Sequence, residues 1–117
     1  MISIDDFKNV EMRVGLVIEA TDQPGSEKLI KLKVDFGDET RVIFTAVRPY
    51  GYTAEYFANK KFIFVTNLEP KVMPYFAPNG ATKGKREESQ GMILAVDAED
   101  KPMFISAEGL PVGAKVR

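Results

Sequence analysis

Neither cysteine nor histidine occurs among the 117 residues, so the chain has no thiol nucleophile, no imidazole base, no disulfide and no ordinary zinc or copper site. Most hydrolase chemistry is removed with them. Carboxylates, lysines, tyrosines and hydroxyls remain. The carboxylates come as neighbours, Asp5 with Asp6, Glu87 with Glu88, and Glu99 with Asp100. Adjacent residues on a strand point to opposite faces, and each pair falls in an expected turn or terminus, so these are solvated carboxylates rather than catalytic dyads. The glycines of GATKGK lack P-loop spacing and precede no helical pattern. No constellation supports an enzyme, and none calls for a cofactor or a metal.

One stretch does combine useful groups. VMPYFAPNGATKGKR places Tyr75 and Phe76 a few residues from Lys83, Lys85 and Arg86. Single-stranded nucleic acid is held by this combination, bases stacking on aromatic faces while ammonium and guanidinium groups contact phosphate. The same aromatics could instead pack on the rest of the protein or on a partner subunit, with the basic residues as a solvated surface. Both readings are open at this level.

The elements that must carry these residues read mostly as strands. In LIKLKVDF, Ile30, Leu32, Val34 and Phe36 alternate with Lys31, Lys33 and Asp35, the period of a strand with one buried and one wet face. Val10 to Thr21 is a longer β-rich run in which Gly15 is expected to mark a sharp bend or a bulge. Gly37-Asp38 predicts a tight hairpin turn before a third strand, and TAEYFANK predicts a short helix with Thr53 as N-cap and Glu55 in its first turn. Lys61 to Leu68 is apolar at nearly every position, as expected of a strand covered on both sides. Residues 71–90 lack any period and form a long loop. Gly91 to Asp97 resumes β character, Ala98 to Pro102 turns, and Met103 to Ser106 with Val112 to Val116 supplies short closing strands. Five principal strands with a helix after the third predict an all-β fold, a five-stranded Greek-key barrel of the oligonucleotide/oligosaccharide-binding type with one short helix and a C-terminal extension.

Size and charge agree with one domain over residues 1–117. Apolar residues make up 44% and charged residues 28%, enough for a real core and too ordered a composition for intrinsic disorder. Apolar runs such as Phe62 to Val65 and Met92 to Val96 fall far below the ~20 residues of a membrane span, and the acidic N-terminus does not resemble a signal peptide. A soluble, cytoplasmic protein with no membrane partner is expected. The net charge of −1 argues against coating nucleic acid by bulk charge. It conceals an asymmetry, because residues 41–86 hold eight basic side chains, Lys71 among them, against Glu55 and Glu69 alone. A basic face toward an anionic partner is one reading, and a surface of mixed charges is the other.

At this point the residues resemble a known family, the tRNA-binding domains found as free-standing bacterial dimers, at the C-terminus of methionyl-tRNA synthetases, and in the endothelial monocyte-activating polypeptide. DDFKNVEMRVGLVIEA looks like the family's opening strand, SEKLIKLKVDFG like its second, KKFIFVTNLEP like its fourth, and ESQGMILA like its most diagnostic segment. The resemblance implies an oligonucleotide-binding barrel that binds tRNA without catalysing a reaction. Carried over by position, it puts RNA contacts on Lys28 in SEKL, Asn67 in NLEP, and Ser89, Gln90 and Met92 in SQGM. A hydroxyl and an amide suit RNA backbone or a base edge, and Met92 could pack under a base or simply begin a buried strand with Gly91. The resemblance also implies a homodimer through Met103 to Val116 and the N-terminal region, with Phe104, Ile105, Leu110 and Val112 as its apolar residues, and an aminoacyl-tRNA synthetase as a possible partner. A close branch, similar to the CsaA-type secretion chaperone, implies the alternative ligand, unfolded polypeptide.

Overall fold

The computed structural model describes residues 1–74 and 87–117, so Tyr75, Phe76, Lys83, Lys85 and Arg86 lie outside the described residues. In chain order the elements are α1 (Ile4–Lys8), β1 (Met12–Asp22), β2 (Ile30–Asp35), β3 (Thr40–Thr45), a 3-10 turn (Arg48–Tyr50), α2 (Ala54–Phe57), β4 (Lys61–Val65), β5 (Lys71–Val72), β6 (Glu88–Ser89), β7 (Met92–Ile93), β8 (Ala95–Ala98) and β9 (Lys101–Phe104). Five strands form one antiparallel sheet in the order β3-β2-β1-β4-β7. It curls into a nearly closed barrel.

The alternation in β2 sets the inside. Ile30, Leu32 and Val34 are fully buried, and they meet Val17, Ile43, Phe57, Phe62 and Phe64 in one core. Phe36 completes it, its ring edge-on to Phe64 at 5.5 Å. Gly37-Asp38 makes the expected two-residue turn, with Gly37 at φ +90 and the Phe36 N–H donating to the Glu39 carbonyl at 2.9 Å. Strand β4 is covered on both faces as its sequence suggested. Phe62 and Phe64 point into the barrel, while Ile63 packs with Val14 and Ala107 beneath the C-terminal segment.

Three local expectations change. Gly15 is not the bulge: the register of β1 against β2 slips between Val17 and Glu19, which makes Ile18 the extra residue. Gly15 instead lies where a Cβ would come within 2.5 to 2.8 Å of Val34, Phe36 and Phe64, so its missing side chain makes room for the core. Residues 112–116 form no strand, only a bridge of Arg13 to Lys115, because Pro111 and Gly113 break the extended backbone and Gly113 sits at φ +85. The hairpin of this region is β8–β9, turning at Glu99-Asp100. At the N-terminus the β-run is preceded by α1, a helical turn held by a capping box in which Asp6 N–H donates to Ser3 Oγ at 3.0 Å and Ser3 N–H donates to Asp6 Oδ2 at 3.2 Å.

The short helix α2 is present after Thr53, whose side chain makes no capping bond. Its Phe57 is fully buried and plugs the barrel among Tyr52, Phe62 and Phe104. Tyr52 donates its hydroxyl hydrogen to the Pro102 carbonyl at 2.6 Å, fastening β9 to this end. No helix among the described residues is long and apolar enough to cross a membrane.

Candidate functional site

The barrel is closed by two side chains and one main-chain bond rather than by a fifth ladder. Gln90 N–H donates to the Val42 carbonyl at 2.8 Å, and Val42 N–H donates in return to the Gln90 side-chain Oε1 at 2.9 Å. Ser89 Oγ accepts from Phe44 N–H at 3.1 Å and donates to the Gly91 carbonyl at 3.1 Å. The exposed edge of β3 thus finds its partners in two polar side chains and the Gln90 main-chain N–H, which satisfies backbone groups that would otherwise be orphaned. Gly91 permits the approach, since a Cβ there would stand 2.8 Å from the Val65 carbonyl.

Beside this clasp lies a groove of about 960 Å³. Its floor is a small apolar cluster, Leu29, Phe44 and Met73, separate from the barrel core. Lys28 and Lys71 stand in its walls beside Glu27 and Glu69, and none of the four makes an ion pair among the described residues. The Lys28 loop is rigidly built: Ser26 Oγ accepts from Lys28 N–H and Leu29 N–H, and Arg48 N–H donates to the Lys28 carbonyl at 3.3 Å. Arg48 also reaches the Ser26 carbonyl and pairs with Asp22 at 3.5 Å.

The residues expected at the site divide into two sets. Lys28, Lys71, Ser89 and Met92 come together at the groove. Met92 opens β7, yet its side chain is 47% exposed and it is Ile93 that is buried. Ser89 is itself buried and committed to Phe44 and Gly91, and Gln90 spends its side chain on β3. Asn67 lies apart from the groove. Its Oδ1 accepts from Glu11 N–H at 2.8 Å and its Nδ2 donates to the Asn9 carbonyl at 2.6 Å, so the carboxamide anchors the chain entering β1. Sequence reasoning missed the groove floor. Its signal was available in VIF of β3, where Val42 and Phe44 put apolar side chains on the face that alternation with Ile43 should leave wet.

The basic excess of residues 41–86 is largely absorbed where it is described. Arg41 is paired with Glu39, Arg48 with Asp22, and Lys61 Nζ donates to the Leu110 carbonyl at 2.9 Å. Lys60 Nζ stands over the Tyr56 ring, 4.4 Å from its centroid. Among the described residues of this stretch, Lys71 is the one in the groove wall.

Just before β6, Glu87 takes an ion pair from Lys31 and a hydrogen bond from Gln23 Nε2 at 2.6 Å. The Lys31 bond, more than the Gln23 bond, holds the Glu87 carboxyl below its ordinary 4.5 against the opposing effect of burial. A carboxyl with a lowered folded value stabilises fully above its unfolded value and loses that contribution as pH falls through the folded one. Lys31→Met is therefore expected to flatten the fall in stability between about pH 5 and 3, read by urea unfolding at each pH. An unchanged acid limb would show that the pair is too solvated to matter.

Comparison with known proteins bears on what such a face does. The family model of the tRNA binding domain matches residues 12–115. A methionine--tRNA ligase of Methanococcus aeolicus is 37% identical over 116 residues, which is 99% of this chain and 16% of that enzyme. The chain thus spans about a sixth of the length of this relative. Among solved structures, a MetRS-related protein from Pyrococcus horikoshii is 39% identical with a TM-score of 0.85, covering 100% of this chain and 98% of that one. A CsaA chaperone from Picrophilus torridus is 26% identical with a TM-score of 0.79, and the two chains cover each other fully at 100%. Fold, length of match and identity converge, and the chain belongs to the tRNA-binding domain family.

Proposed function

We propose that the chain acts as a non-catalytic RNA-binding module whose ligand is tRNA, in a cytoplasmic setting, held across the groove between the Lys28 loop and β5. The observation that carries this reading is that Lys28 and Lys71, which make no ion pair among the described residues, flank an apolar floor. Ammonium groups contact phosphate while the exposed Met92, beside the buried Phe44 and Met73, offers apolar surface to a base turned out of its stack. Shape and backbone contacts rather than sequence readout belong to this reading, since Lys28 and Lys71 suit phosphate and the Ser89 hydroxyl is committed to Phe44 and Gly91. Tyr75, Phe76, Lys83, Lys85 and Arg86 add stacking and phosphate contacts in this reading.

The test is a filter-binding titration with bulk tRNA at several salt concentrations. Lys28→Ala combined with Lys71→Ala is expected to weaken binding and to reduce the salt slope by up to about 2, one unit per released phosphate contact. Neutralising Lys83, Lys85 and Arg86 together should reduce it by up to about 3. Melting temperatures should hardly move, because solvated charges contribute little to folding. Retention of no tRNA at low salt by the parent protein overturns the proposal.

The apolar floor and the likeness to a chaperone structure favour one second reading, an unfolded polypeptide as ligand. Apolar burial is insensitive to moderate salt, so binding of a reduced, unfolded polypeptide with a flat salt dependence would select it.

Assembly belongs to the same proposal. Ile2, Ile4 and Val10 near the N-terminus and Ile105, Leu110 and Val116 near the C-terminus are 40% exposed or more, a number of apolar side chains that suits a homodimer through these regions. Phe104 is only partly exposed, its ring packing on Phe57 and Phe62. Light scattering at micromolar concentration should give twice the monomer mass, and a monomer would reject it. A methionyl-tRNA synthetase is the partner that the relatives suggest, as a fused or separate chain.

A further inference from the structure

Arg41 stands in the basic middle segment, and its charge invites assignment as a phosphate contact. Its geometry argues for something else. The guanidinium points back into the protein: Nη1 donates to the carbonyls of Thr66 and, at 3.2 Å, of Gln90. On its other side Glu39 grips it in a fork, Oε1 to Nε at 2.7 Å and Oε2 to Nη2 at 3.2 Å. One planar cation therefore joins three places in the chain, the start of β3, the end of β4 and the clasp that closes the barrel.

Those places border the groove. Thr66 is followed by Asn67 and Leu68, and Leu68 lines the groove; Gln90 stands between Ser89 and Gly91, with Met92 beyond, all three lining it. The neighbouring bonds reinforce the arrangement. Val42, next to Arg41, exchanges hydrogen bonds with Gln90, while Thr66 N–H donates to the Glu11 carbonyl at 2.9 Å and Thr66 Oγ1 donates to Glu11 Oε1 at 2.7 Å. We propose that Arg41 is a positioning residue for the RNA face, fixing the Gln90 clasp to the end of β4 with Glu39 as its brace, and that it does not itself contact phosphate. The inference rests on the RNA reading of the groove. A planar fork suits the task because it holds a carboxylate and two carbonyls at once, which the point charge of a lysine cannot do.

Glu39 makes the proposal sharply testable. Were Arg41 a phosphate ligand, Glu39 would compete with RNA for it, and Glu39→Gln would tighten binding. As a brace, Glu39→Gln must weaken it. The experiment compares the parent protein with Arg41→Met, Arg41→Lys and Glu39→Gln in tRNA titrations at three salt concentrations, alongside melting temperatures and amide hydrogen exchange of the free proteins. Arg41→Met is expected to lower affinity about tenfold with the salt slope of the parent, Arg41→Lys to restore little, and Glu39→Gln to give a smaller loss in the same direction. In the free protein, exchange at the Gln90 amide should accelerate in Arg41→Met without global unfolding. A slope reduced by about one unit, or tighter binding by Glu39→Gln, overturns the proposal in favour of direct contact. A lowered melting temperature with parental affinity overturns it in favour of a purely structural bond. If the parent binds no tRNA, the RNA reading fails by itself, and the Gln90 exchange still decides whether Arg41 holds the clasp: unchanged exchange rejects the proposal.

Discussion

Arg13→Met is expected to lower the unfolding free energy by about 3 kcal/mol, since charged hydrogen bonds to buried carbonyls contribute roughly 1.5 to 3 kcal/mol each and the methionine returns part of the lost packing. The side chain is only 9% exposed. Its Nε donates to the Gly113 carbonyl at 3.2 Å, and its Nη2 donates to the Phe36 carbonyl at 3.2 Å and to Asp38 Oδ1 at 2.8 Å. The guanidinium also lies over the Phe36 ring, 5.4 Å from its centroid. It is thus the bolt between the β2–β3 turn and the C-terminal segment. Removing it leaves two carbonyls without their charged donor in a place too tight for ready hydration, because Gly113 approaches the Phe36 carbonyl so closely that a Cβ would stand 2.3 Å from it. The Arg13 Nη1 also stands 3.6 Å from Glu39 Oε2. Urea unfolding measures the loss, and Arg13→Lys should recover only a minor part, since one ammonium cannot reach all four partners. A loss below about 1 kcal/mol would mean that water replaces the guanidinium freely. A second readout follows from Asp38, whose carboxyl the Arg13 hydrogen bond holds below its ordinary 3.8. That contribution is present above the unfolded value and disappears as pH falls through the lowered one, so the variant should lose this part of the parent's acid sensitivity. Because the bolt secures the segment containing Leu110 and Val116, the variant should also weaken the homodimer proposed above.

The barrel was legible in the sequence wherever burial follows alternation within one strand. Ile30, Leu32 and Val34 against Lys31 and Lys33 needed nothing from the rest of the chain, and neither did the apolar run at Lys61 or the Gly37-Asp38 turn. What escaped depends on distant partners. The commitments of Arg13 and Arg41 involve acceptors up to 100 and 49 residues away, and the carboxamide of Asn67 serves backbone groups 56 and 58 residues away. No local pattern distinguishes such side chains from ones that face a ligand. Ser89 and Gln90 show the same limit. Their types suit RNA contacts, and only the open edge of β3 reveals that they complete the barrel. Helix α1 was missed for a different reason: five residues give no periodicity, and its signal was Ser3 followed by Asp6. The groove was half legible, Lys28 and Met92 by resemblance and Phe44 only once its face was known.

Gly15 yields the other large effect, and it separates two explanations of a glycine inside a strand, bending and close packing. A bending role would tolerate alanine at a cost near that of any strand glycine, within about 1 kcal/mol. Close packing predicts much more. An alanine Cβ would stand 2.5 Å from Val34 Cγ1, 2.8 Å from Phe36 Cε1 and 2.8 Å from Phe64 Cδ1, three contacts that real side chains do not make. Val34 is fully buried and Phe36 and Phe64 are held edge to face, so none can swing toward solvent. Relief requires β1 to move away from β2 and β4, which flank it on both sides. Gly15→Ala is accordingly expected to destabilise by about 3 kcal/mol, the upper part of the range for overpacking a dense core. Val34→Ala removes the nearest of the three contacts and leaves a cavity of its own. The two substitutions should therefore compensate: the double variant is expected to be at least about 1 kcal/mol more stable than the sum of the single effects predicts. Strict additivity in the urea double-mutant cycle would reject steric conflict as the cause and return Gly15 to a backbone role.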